Sequence, residues 1–201
     1  MTWQPFDVAE CDPSPFVQFR RWYDEAAPVM AEREAIVLAT SSAEGRPSAR
    51  MVLLRRLGED SFGWYTNYES RKAAELADNP RAALLWYCEP LGRQIRVEGS
   101  VTRSSAEDSD AYFATRARRS QIGAHASHQS RPLASRGELE ARVELLEAEY
   151  EGRVVPRPAH WGGYVLTPDA LEFWQHRENR LHDRVIYTLD EETWRYERYA
   201  P

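Results

Sequence analysis

The chain has 201 residues, 42% of them hydrophobic, which suits one packed domain. Its formal net charge of −6 argues against non-specific binding to nucleic acid. Cys11 and Cys88 form no disulfide or metal-binding pattern, and we find neither a signal peptide nor an apolar run of membrane-spanning length, so we expect a soluble, cytoplasmic protein.

Helical signals appear near the start of the chain and again at three later places. Ser14 followed by Pro15 is typical of a helix start, with serine as N-cap and proline at the first helical position. We therefore predict an N-terminal helix over residues 14–31. A short helix capped by Ser70 and two longer helical segments are predicted over 71–77, 105–116 and 136–151.

Strand signals are more numerous than helical ones. The predicted strands cover residues 35–40, 48–57, 61–66, 81–88, 92–103, 163–166, 171–175, 184–189 and 193–199. They follow one another as meanders, which favours antiparallel pairing over a parallel βαβ sheet. We predict one domain over residues 1–201, mainly β, in which the helical segments pack on an antiparallel barrel.

Arg180, His182 and Arg184 occupy every second position of one short run. If this run is extended, the three side chains share one face of a strand. A face with two permanent cations and an imidazole is either open to water or turned toward an anion, because burial of unpaired charge is costly. The run therefore indicates either a binding-site wall or a solvated edge strand.

Only one of the 26 basic residues is a lysine, Lys72, and the other 25 are arginine. Codon bias explains the excess of arginine. Against that background Lys72 is either a chance exception or a residue whose role needs a compact ammonium group. Ser70, Arg71 and Lys72 lie together at a predicted helix N-terminus, where backbone N–H groups and the helix dipole attract phosphate.

Two further segments carry the chemistry of anion binding. Tyr112 and Arg116 share a helix face, and Ser120 is expected in the loop that follows, so that the three side chains can clasp a phosphate. Residues 50–55 read Arg-Met-Val-Leu-Leu-Arg, in which alternation ends each face of an apolar strand with a charge; strand-end solvation explains this equally well. Gln94 can both donate and accept toward a heteroaromatic edge.

Taken together, these segments resemble the pyridoxamine/pyridoxine 5′-phosphate oxidase family over nearly the whole chain. The motifs that carry the resemblance are Ser70-Arg71-Lys72, Ser120-Gln121-Ile122-Gly123-Ala124, Ser127-His128-Gln129-Ser130, Trp161-Gly162-Gly163-Tyr164, Phe173-Trp174-Gln175 and Arg180-Leu181-His182-Asp183-Arg184. The resemblance implies a homodimer of FMN-binding split β-barrels of the antiparallel Greek-key type, with FMN in clefts at the subunit interface. It also implies oxidation of pyridoxamine or pyridoxine 5′-phosphate to pyridoxal 5′-phosphate by O2, with H2O2 as the other product, and neither a metal nor a nucleic-acid or membrane partner.

The resemblance also assigns site residues. FMN contacts are expected at Arg50, Met51, Val52, Leu53, Leu54, Arg55, Tyr65, Thr66, Ser70, Arg71, Lys72, Gln94, Gln129, Ser130, Trp174 and Arg184. Substrate contacts are expected at Arg55, Tyr112, Arg116, Ser120, Arg180 and His182. Arg180 and His182 are the expected catalytic residues, and Arg55 stands where the family usually has lysine.

The sequence leaves two other functions open. One is a flavin oxidase of the same fold that acts on another flat substrate, such as a dihydrophenazine; the clasp of Tyr112, Arg116 and Ser120 argues against it. The other is a non-catalytic carrier of FMN or pyridoxal phosphate, which would need the phosphate ligands but not the pair Arg180 and His182.

Overall fold

The computed structural model describes residues 4–201, which form five α-helices and nine strands. The helices are α1 (Pro15–Glu25), α2 (Arg71–Asp78), α3 (Ala106–Thr115), α4 (Arg118–Ala126) and α5 (Arg136–Glu149). The strands are β1 (Ala35–Ser41), β2 (Pro47–Leu53), β3 (Arg56–Leu57), β4 (Phe62–Asn67), β5 (Arg81–Cys88), β6 (Arg93–Arg103), β7 (Trp161–Gln175), β8 (Asp183–Asp190) and β9 (Thr193–Tyr199). Short 3₁₀ turns cover Val8–Glu10, Glu89–Leu91 and Glu178–Arg180.

All nine strands belong to one antiparallel sheet, in the order β2-β1-β5-β6-β7-β4-β3, and β7 also pairs with β8, which pairs with β9. The 15-residue strand β7 is the branch point. Its first half pairs with β4 and its second half with β8, while β6 runs along both halves. This confirms the predicted fold class, a mainly antiparallel barrel with peripheral helices.

A β-bulge bends the sheet in the middle of β7. The register of β6 against β7 shifts between Glu98 and Gly99, and Gly99 then faces Pro168. A Cβ atom at position 99 would lie 2.2 Å from the carbonyl oxygen of Thr167, so only glycine allows this approach. The sequence predicted two strands here, over 163–166 and 171–175; the structure has one continuous bent strand.

The core lies inside the curl of the sheet and is rich in aromatic side chains. Helix α1 packs into it through Phe19 and Trp22, and the Trp22 ring meets Phe173 of β7 edge-on at 5.3 Å. A second, smaller cluster of Phe113, Ile122, Val155 and Trp161 lies beneath α3 and α4. No helix in the described part of the chain combines the length and the hydropathy needed to cross a bilayer.

The helices differ from the sequence prediction in two ways. Helix α1 begins with the predicted Ser14 cap, whose Oγ accepts a hydrogen bond from the Val17 N–H, but it ends at Glu25 rather than at residue 31. Residues 26–29 form a turn instead. The ring of Pro28 disfavours the α conformation at the preceding residue, Ala27, so the helix ends before it. The sequence also missed α4, which contains Ser120, the residue expected in a loop.

Candidate active site

A cavity of about 690 Å³ opens beside strand β2 and the N-terminal end of α2. Many of the predicted site residues line it, namely Arg50, Met51, Val52, Leu53, Arg55, Tyr65, Thr66, Lys72, Tyr112, Arg116, Ser120 and Gln129. Asn67, Thr115, Ala117 and Trp161 complete the lining and were not predicted as ligands. Leu54, Ser70, Arg71 and Ser130 are not among the lining residues.

The strand predicted over 48–57 changes partner at the edge of this cavity. Strand β2 ends at Leu53, and the Arg55 N–H donates instead to the carbonyl of Gly63 on β4, at 2.8 Å. Alternation holds within β2, where Arg50 and Val52 are half-buried and Met51 and Leu53 are exposed. Since β2 is the first strand in the sheet order, its backbone forms an edge along the cavity.

Lys72 is held by three oxygen atoms at one end of the cavity. Its Nζ donates to Thr66 Oγ1 at 3.0 Å, to Ser70 Oγ at 3.2 Å and to Gln129 Oε1 at 2.7 Å. Burial, together with the nearby charge of Arg50, lowers the pKa of Lys72 from 10.5 to about 8. An anion placed here would offset both effects.

Ser70 lies at the N-cap position of α2, but its side chain makes no capping hydrogen bond. This differs from the expected cap, because the buried Ser70 hydroxyl accepts from Lys72 instead. Close by, the Arg71 N–H donates to Ser130 Oγ at 3.2 Å, and Ser130 has a left-handed φ of 67°. The segment around Gln129 and Ser130 therefore closes over the N-terminus of α2.

Another part of the cavity lining is aromatic and carries the guanidinium of Arg116. The rings of Tyr65 and Tyr112 stack at 3.9 Å, and both are nearly parallel to the ring of Trp161. Arg116 Cζ lies 4.6 Å from the Trp161 ring centroid, while its buried Nη1 has no hydrogen-bond partner among the described residues. Burial lowers the pKa of Arg116. A guanidinium in the lining of a cavity suits an incoming anion.

The Gly-Gly pair of the Trp161 motif makes room for this part of the lining. Gly163 pairs with Tyr65 across β7 and β4. A Cβ atom at position 163 would lie 2.4 Å from Ser104 Oγ and 2.9 Å from a ring carbon of Tyr65. Any larger residue at this position would therefore force Ser104 and the Tyr65 ring to shift.

The residues that line the cavity form a first group of predicted site residues. A second group lies on strands β6, β7 and β8 and on the connection between β7 and β8. Gln94, Trp174 and Arg184 face one another in one row across β6, β7 and β8. Arg184 is fixed by Glu172, whose Oε1 is 2.7 Å from the Arg184 Nε, and by the Ala200 carbonyl, which accepts from its Nη1 at 2.8 Å.

The run from Arg180 to Arg184 is not one extended strand, so the condition for a face shared by Arg180, His182 and Arg184 is not met. Gln175 and Asp183 are the last cross-strand pair of β7 and β8, and the residues between them form the connection that reverses the chain. Arg180 lies in the 3₁₀ turn with a left-handed φ of 62°, and Leu181 is 69% exposed rather than packed on an inner face. Of the three alternating residues, only Arg184 is on a strand.

His182 packs against Trp174, with ring centroids 4.4 Å apart. Its Nδ1 accepts a hydrogen bond from the Arg177 N–H at 3.1 Å. Because a backbone N–H can only donate, Nδ1 carries no proton, and the neutral ring presents an Nε2–H donor. Burial lowers the pKa of His182, and the neighbouring His176 and Arg180 lower it further.

The two groups do not meet within one chain. The second group consists of Gln94, Trp174, Arg180, His182 and Arg184. Among residues 4–201, none of these five lines the cavity of its own chain. Two buried acids that touch the predicted ligands, Glu75 and Glu172, were missed by the sequence reasoning. The spacing of Arg71 and Glu75, four residues apart on a helix, is a signal that could have indicated one of them.

Solved structures of known proteins share this architecture. PhzG from Burkholderia lata 383, in complex with tetrahydrophenazine-1-carboxylic acid, superposes with a TM-score of 0.93 at 28% identity, over 100% of both chains. A pyridoxamine 5′-phosphate oxidase-related, FMN-binding protein from Nostoc punctiforme superposes with a TM-score of 0.75 at 18% identity, over 95% of this chain and 100% of that one. The fold is therefore that of the FMN-binding split β-barrels.

Sequence comparison narrows the class further. Residues 23–150 match the family model described as pyridoxamine 5′-phosphate oxidase, and residues 161–201 match the pyridoxine 5′-phosphate oxidase C-terminal dimerisation region. The Rubrobacter xylanophilus pyridoxine/pyridoxamine 5′-phosphate oxidase is 55% identical over 94% of this chain and 88% of its own length. The Cyanothece enzyme of the same name is 48% identical over 98% and 93%. The chain belongs to the pyridoxine/pyridoxamine 5′-phosphate oxidase family, which confirms the resemblance seen in its motifs.

Proposed function

We propose that the protein is an FMN-dependent oxidase that converts pyridoxamine 5′-phosphate or pyridoxine 5′-phosphate to pyridoxal 5′-phosphate. O2 accepts the electrons and H2O2 is formed; the amine substrate also takes up water and releases ammonia. One observation carries the proposal: a single cavity of this acidic protein is lined by four cationic side chains, Arg50, Arg55, Lys72 and Arg116. A phosphorylated cofactor and a phosphorylated substrate together need such a concentration of positive charge.

The residues at the Lys72 end suit the phosphate and ring of FMN. Lys72 and Arg71 supply positive charge at the N-terminus of α2, and Ser130 supplies a hydroxyl. The edge of β2 offers backbone groups to a polar heteroaromatic rim, and Gln129 offers an amide. When bound, FMN would supply the two-electron redox chemistry that the side chains of this protein lack.

The part of the lining around Arg116 suits the substrate phosphate. Arg116 lines the cavity with a permanent positive charge, and Tyr112 and Ser120, which carry hydroxyl groups, belong to the same lining. Charge-assisted hydrogen bonds of this type are about twice as strong as neutral ones. Arg55 also lines the cavity and is balanced by Glu34 at 3.7 Å.

A second copy of the chain would complete the site. Met51, Val37, Leu85, Arg96 and Glu172 form one continuous row across the outer face of the sheet, from the cavity to the neighbourhood of Arg184. The apolar end of this row is open to solvent, with Met51 60% exposed. Self-association through such a face forms an isologous dimer. The family match of residues 161–201 to a dimerisation region supports this arrangement.

In this homodimer, Gln94, Trp174 and Arg184 of one protomer would face the cavity of the other, together with Arg180 and His182. His182 would donate from Nε2–H to the reacting end of the substrate, and Arg180 would contribute a permanent positive charge there. Arg184 would place a cation, fixed by Glu172, beside the cofactor.

The test uses purified protein and its absorption spectrum. A yellow flavin spectrum is expected, and anaerobic addition of pyridoxamine 5′-phosphate should bleach the flavin band. Admission of O2 should restore the band and yield one H2O2 for each pyridoxal 5′-phosphate. A colourless protein that takes up no FMN would refute the cofactor, and a band that stays yellow would favour a non-catalytic carrier.

The likeness to PhzG favours one competing function, oxidation of a reduced phenazine. The same anaerobic assay with a dihydrophenazine carboxylic acid separates the two. We expect no bleaching with the phenazine, because the phosphate clasp of Tyr112, Arg116 and Ser120 lines the cavity.

A further inference from the structure

A buried carboxylate lies behind the Lys72 end of the cavity. Glu75 is on α2, and its side chain is only 6% exposed. Its Oε1 accepts from Arg71 Nε at 2.8 Å, and its Oε2 accepts from Ser48 Oγ at 2.6 Å and from Arg50 Nη2 at 3.2 Å. Thr40 Oγ1 donates to the same Oε2. One carboxylate thus joins arginines from two different elements, β2 and α2.

The geometry around Arg50 is fixed by the same group. Arg50 Nη1 donates to the Leu38 carbonyl at 3.3 Å and to Thr40 Oγ1, while Nη2 reaches Ser48 Oγ and Glu75. Thr40 and Ser48 are direct partners across β1 and β2. The hydroxyl pair, the carboxylate and the guanidinium therefore form one closed network.

The charges of this network also suit a phosphate. Arg50, Arg71 and Lys72 contribute three positive charges near the positive pole of a helix, and Glu75 reduces the local sum to two. Burial alone would raise the pKa of Glu75, but hydrogen bonds from Ser48, Thr40, Arg71 and Arg50 lower it to about 2. Glu75 is therefore a carboxylate at neutral pH, and a net charge of two matches a phosphate dianion.

We propose that Glu75 is a positioning residue, which holds Arg50 and Arg71 in the orientation that binds the phosphate of the cofactor. The identity of that cofactor as FMN rests on the proposed function. Glu75 itself would not touch the ligand. Its carboxylate acts by fixing two guanidinium groups, so that less of their side-chain freedom is lost when the phosphate binds.

The sharpest test is the substitution Glu75→Gln, which keeps the shape and one acceptor oxygen but removes the charge. We would measure the dissociation constants of FMN and of riboflavin, which lacks the phosphate, by quenching of flavin fluorescence on the apoprotein. A positioning role predicts that FMN binds about tenfold more weakly to the variant, while riboflavin binding is unchanged.

Two outcomes of the Glu75→Gln measurement would overturn the proposal. If Glu75 only diluted positive charge, the variant would bind the phosphate dianion as tightly as the wild type or more tightly, and the proposal would fail. An equal loss for FMN and riboflavin would indicate a general structural defect and would also overturn it. The matched control is Glu69→Gln, which removes an exposed carboxylate just before the same helix and should leave both constants unchanged.

Two more variants keep the test valid if Glu75→Gln folds poorly. Thr40→Val removes the hydroxyl that donates to Glu75 and accepts from Arg50, and it should weaken FMN binding by a smaller factor, again without effect on riboflavin. In a protein that already carries Arg71→Met, Thr40→Val should still weaken FMN binding, because it acts through Arg50. The substitution Glu75→Gln should have a smaller effect there, because one of the two arginines that Glu75 holds is gone. Wild-type protein that binds neither flavin would refute the proposed function, whereas wild-type selectivity for FMN retained in every variant would refute only the role of Glu75.

Discussion

Lys72 Nζ and Gln129 Oε1 lie 2.7 Å apart, although 57 positions separate the two residues in the chain. The contact ties the first turn of α2 to the segment that follows α4. Because the Arg71 N–H donates to Ser130 beside it, two consecutive residues of each segment meet. The cavity end that we assign to the cofactor phosphate is thus built from two distant pieces of sequence, and Lys72 is the charge at their junction.

The pH dependence of FMN binding should report on Lys72. Its pKa of about 8 means that the free site carries this charge at pH 7 and loses it as the pH rises through 8. If only the protonated amine binds the phosphate, FMN affinity should fall about tenfold between pH 7 and pH 9. Titration of the apoprotein with FMN at several pH values measures this.

The variant Lys72→Met serves as the comparison for that titration. It should bind FMN weakly at pH 7 and should show a nearly flat profile between pH 7 and 9, since the titrating group is gone. A variant profile as steep as that of the wild type would assign the pH dependence to another group.

Much of the fold could be predicted from local sequence patterns. Strands β5 and β9 match the predicted bounds 81–88 and 193–199, because alternation or apolar runs bounded by turn residues specify them locally. The Ser14-Pro15 start of α1 is equally local. Helix α4 was missed because it lacks a side-chain N-cap and carries Arg118 and Arg119 in its first turn, against the helix dipole.

The site was predicted less completely, for a physical reason. Alternation gives a shared face only where a segment is extended, and Arg180 and His182 lie in the connection between the predicted strands 171–175 and 184–189. The positions of Asn179 and Arg180 in left-handed conformation follow from the pairing of β7 with β8, which is a tertiary contact. Glu75 was missed similarly, since its partners Thr40 and Ser48 lie on a distant hairpin.

Arg116 should control the affinity for phosphorylated substrate. It lines the cavity, and its guanidinium forms no ion pair with a carboxylate of the described residues, so the substrate phosphate would be its natural partner. The substitution Arg116→Met should raise the KM for pyridoxamine 5′-phosphate about 100-fold, the loss of a strong charge-assisted hydrogen bond, and should leave the FMN dissociation constant nearly unchanged. Steady-state kinetics and FMN titration measure both.

Arg119 on the same helix provides the control for Arg116. Its side chain is 87% exposed, and Arg119→Met should alter neither KM nor FMN binding. Unphosphorylated pyridoxamine should be turned over equally poorly by wild type and Arg116→Met. If Arg116→Met reduced FMN affinity as much as it raised KM, the assignment of this residue to substrate would be wrong.

His182 should act as a neutral hydrogen-bond donor. Its Nδ1 accepts from the Arg177 N–H, and burial, His176 and Arg180 all lower its pKa below the usual value of 6.5. Lowering the pH through this pKa would protonate Nδ1 and break the hydrogen bond, so kcat/KM should be constant through neutral pH with respect to this group and fall only under acidic conditions.

The substitution His182→Gln separates this role from proton transfer. Glutamine keeps a donor and an acceptor but does not titrate, so the variant should retain part of the activity and lose the acidic limb of the profile. If the acidic limb of the wild-type kcat/KM profile were centred at or above pH 7, the pKa of His182 would be raised rather than lowered, and its assignment as a neutral donor would be wrong.

The outer face of the sheet should decide both assembly and cofactor binding. Leu85 is half-buried at the centre of the row that links Met51 to Glu172, and its neighbour Leu84 points into the core instead. Placing a charge there by Leu85→Arg would bury an unpaired guanidinium between two copies. We expect a monomer by light scattering and at least about tenfold weaker FMN binding, because each cleft would lose Gln94, Trp174 and Arg184 of the other copy.

The matched variant Leu145→Arg, at a 72% exposed position of α5, should remain a dimer that binds FMN normally. A Leu85→Arg monomer that binds FMN as tightly as the wild type would show that one chain alone forms the cofactor site.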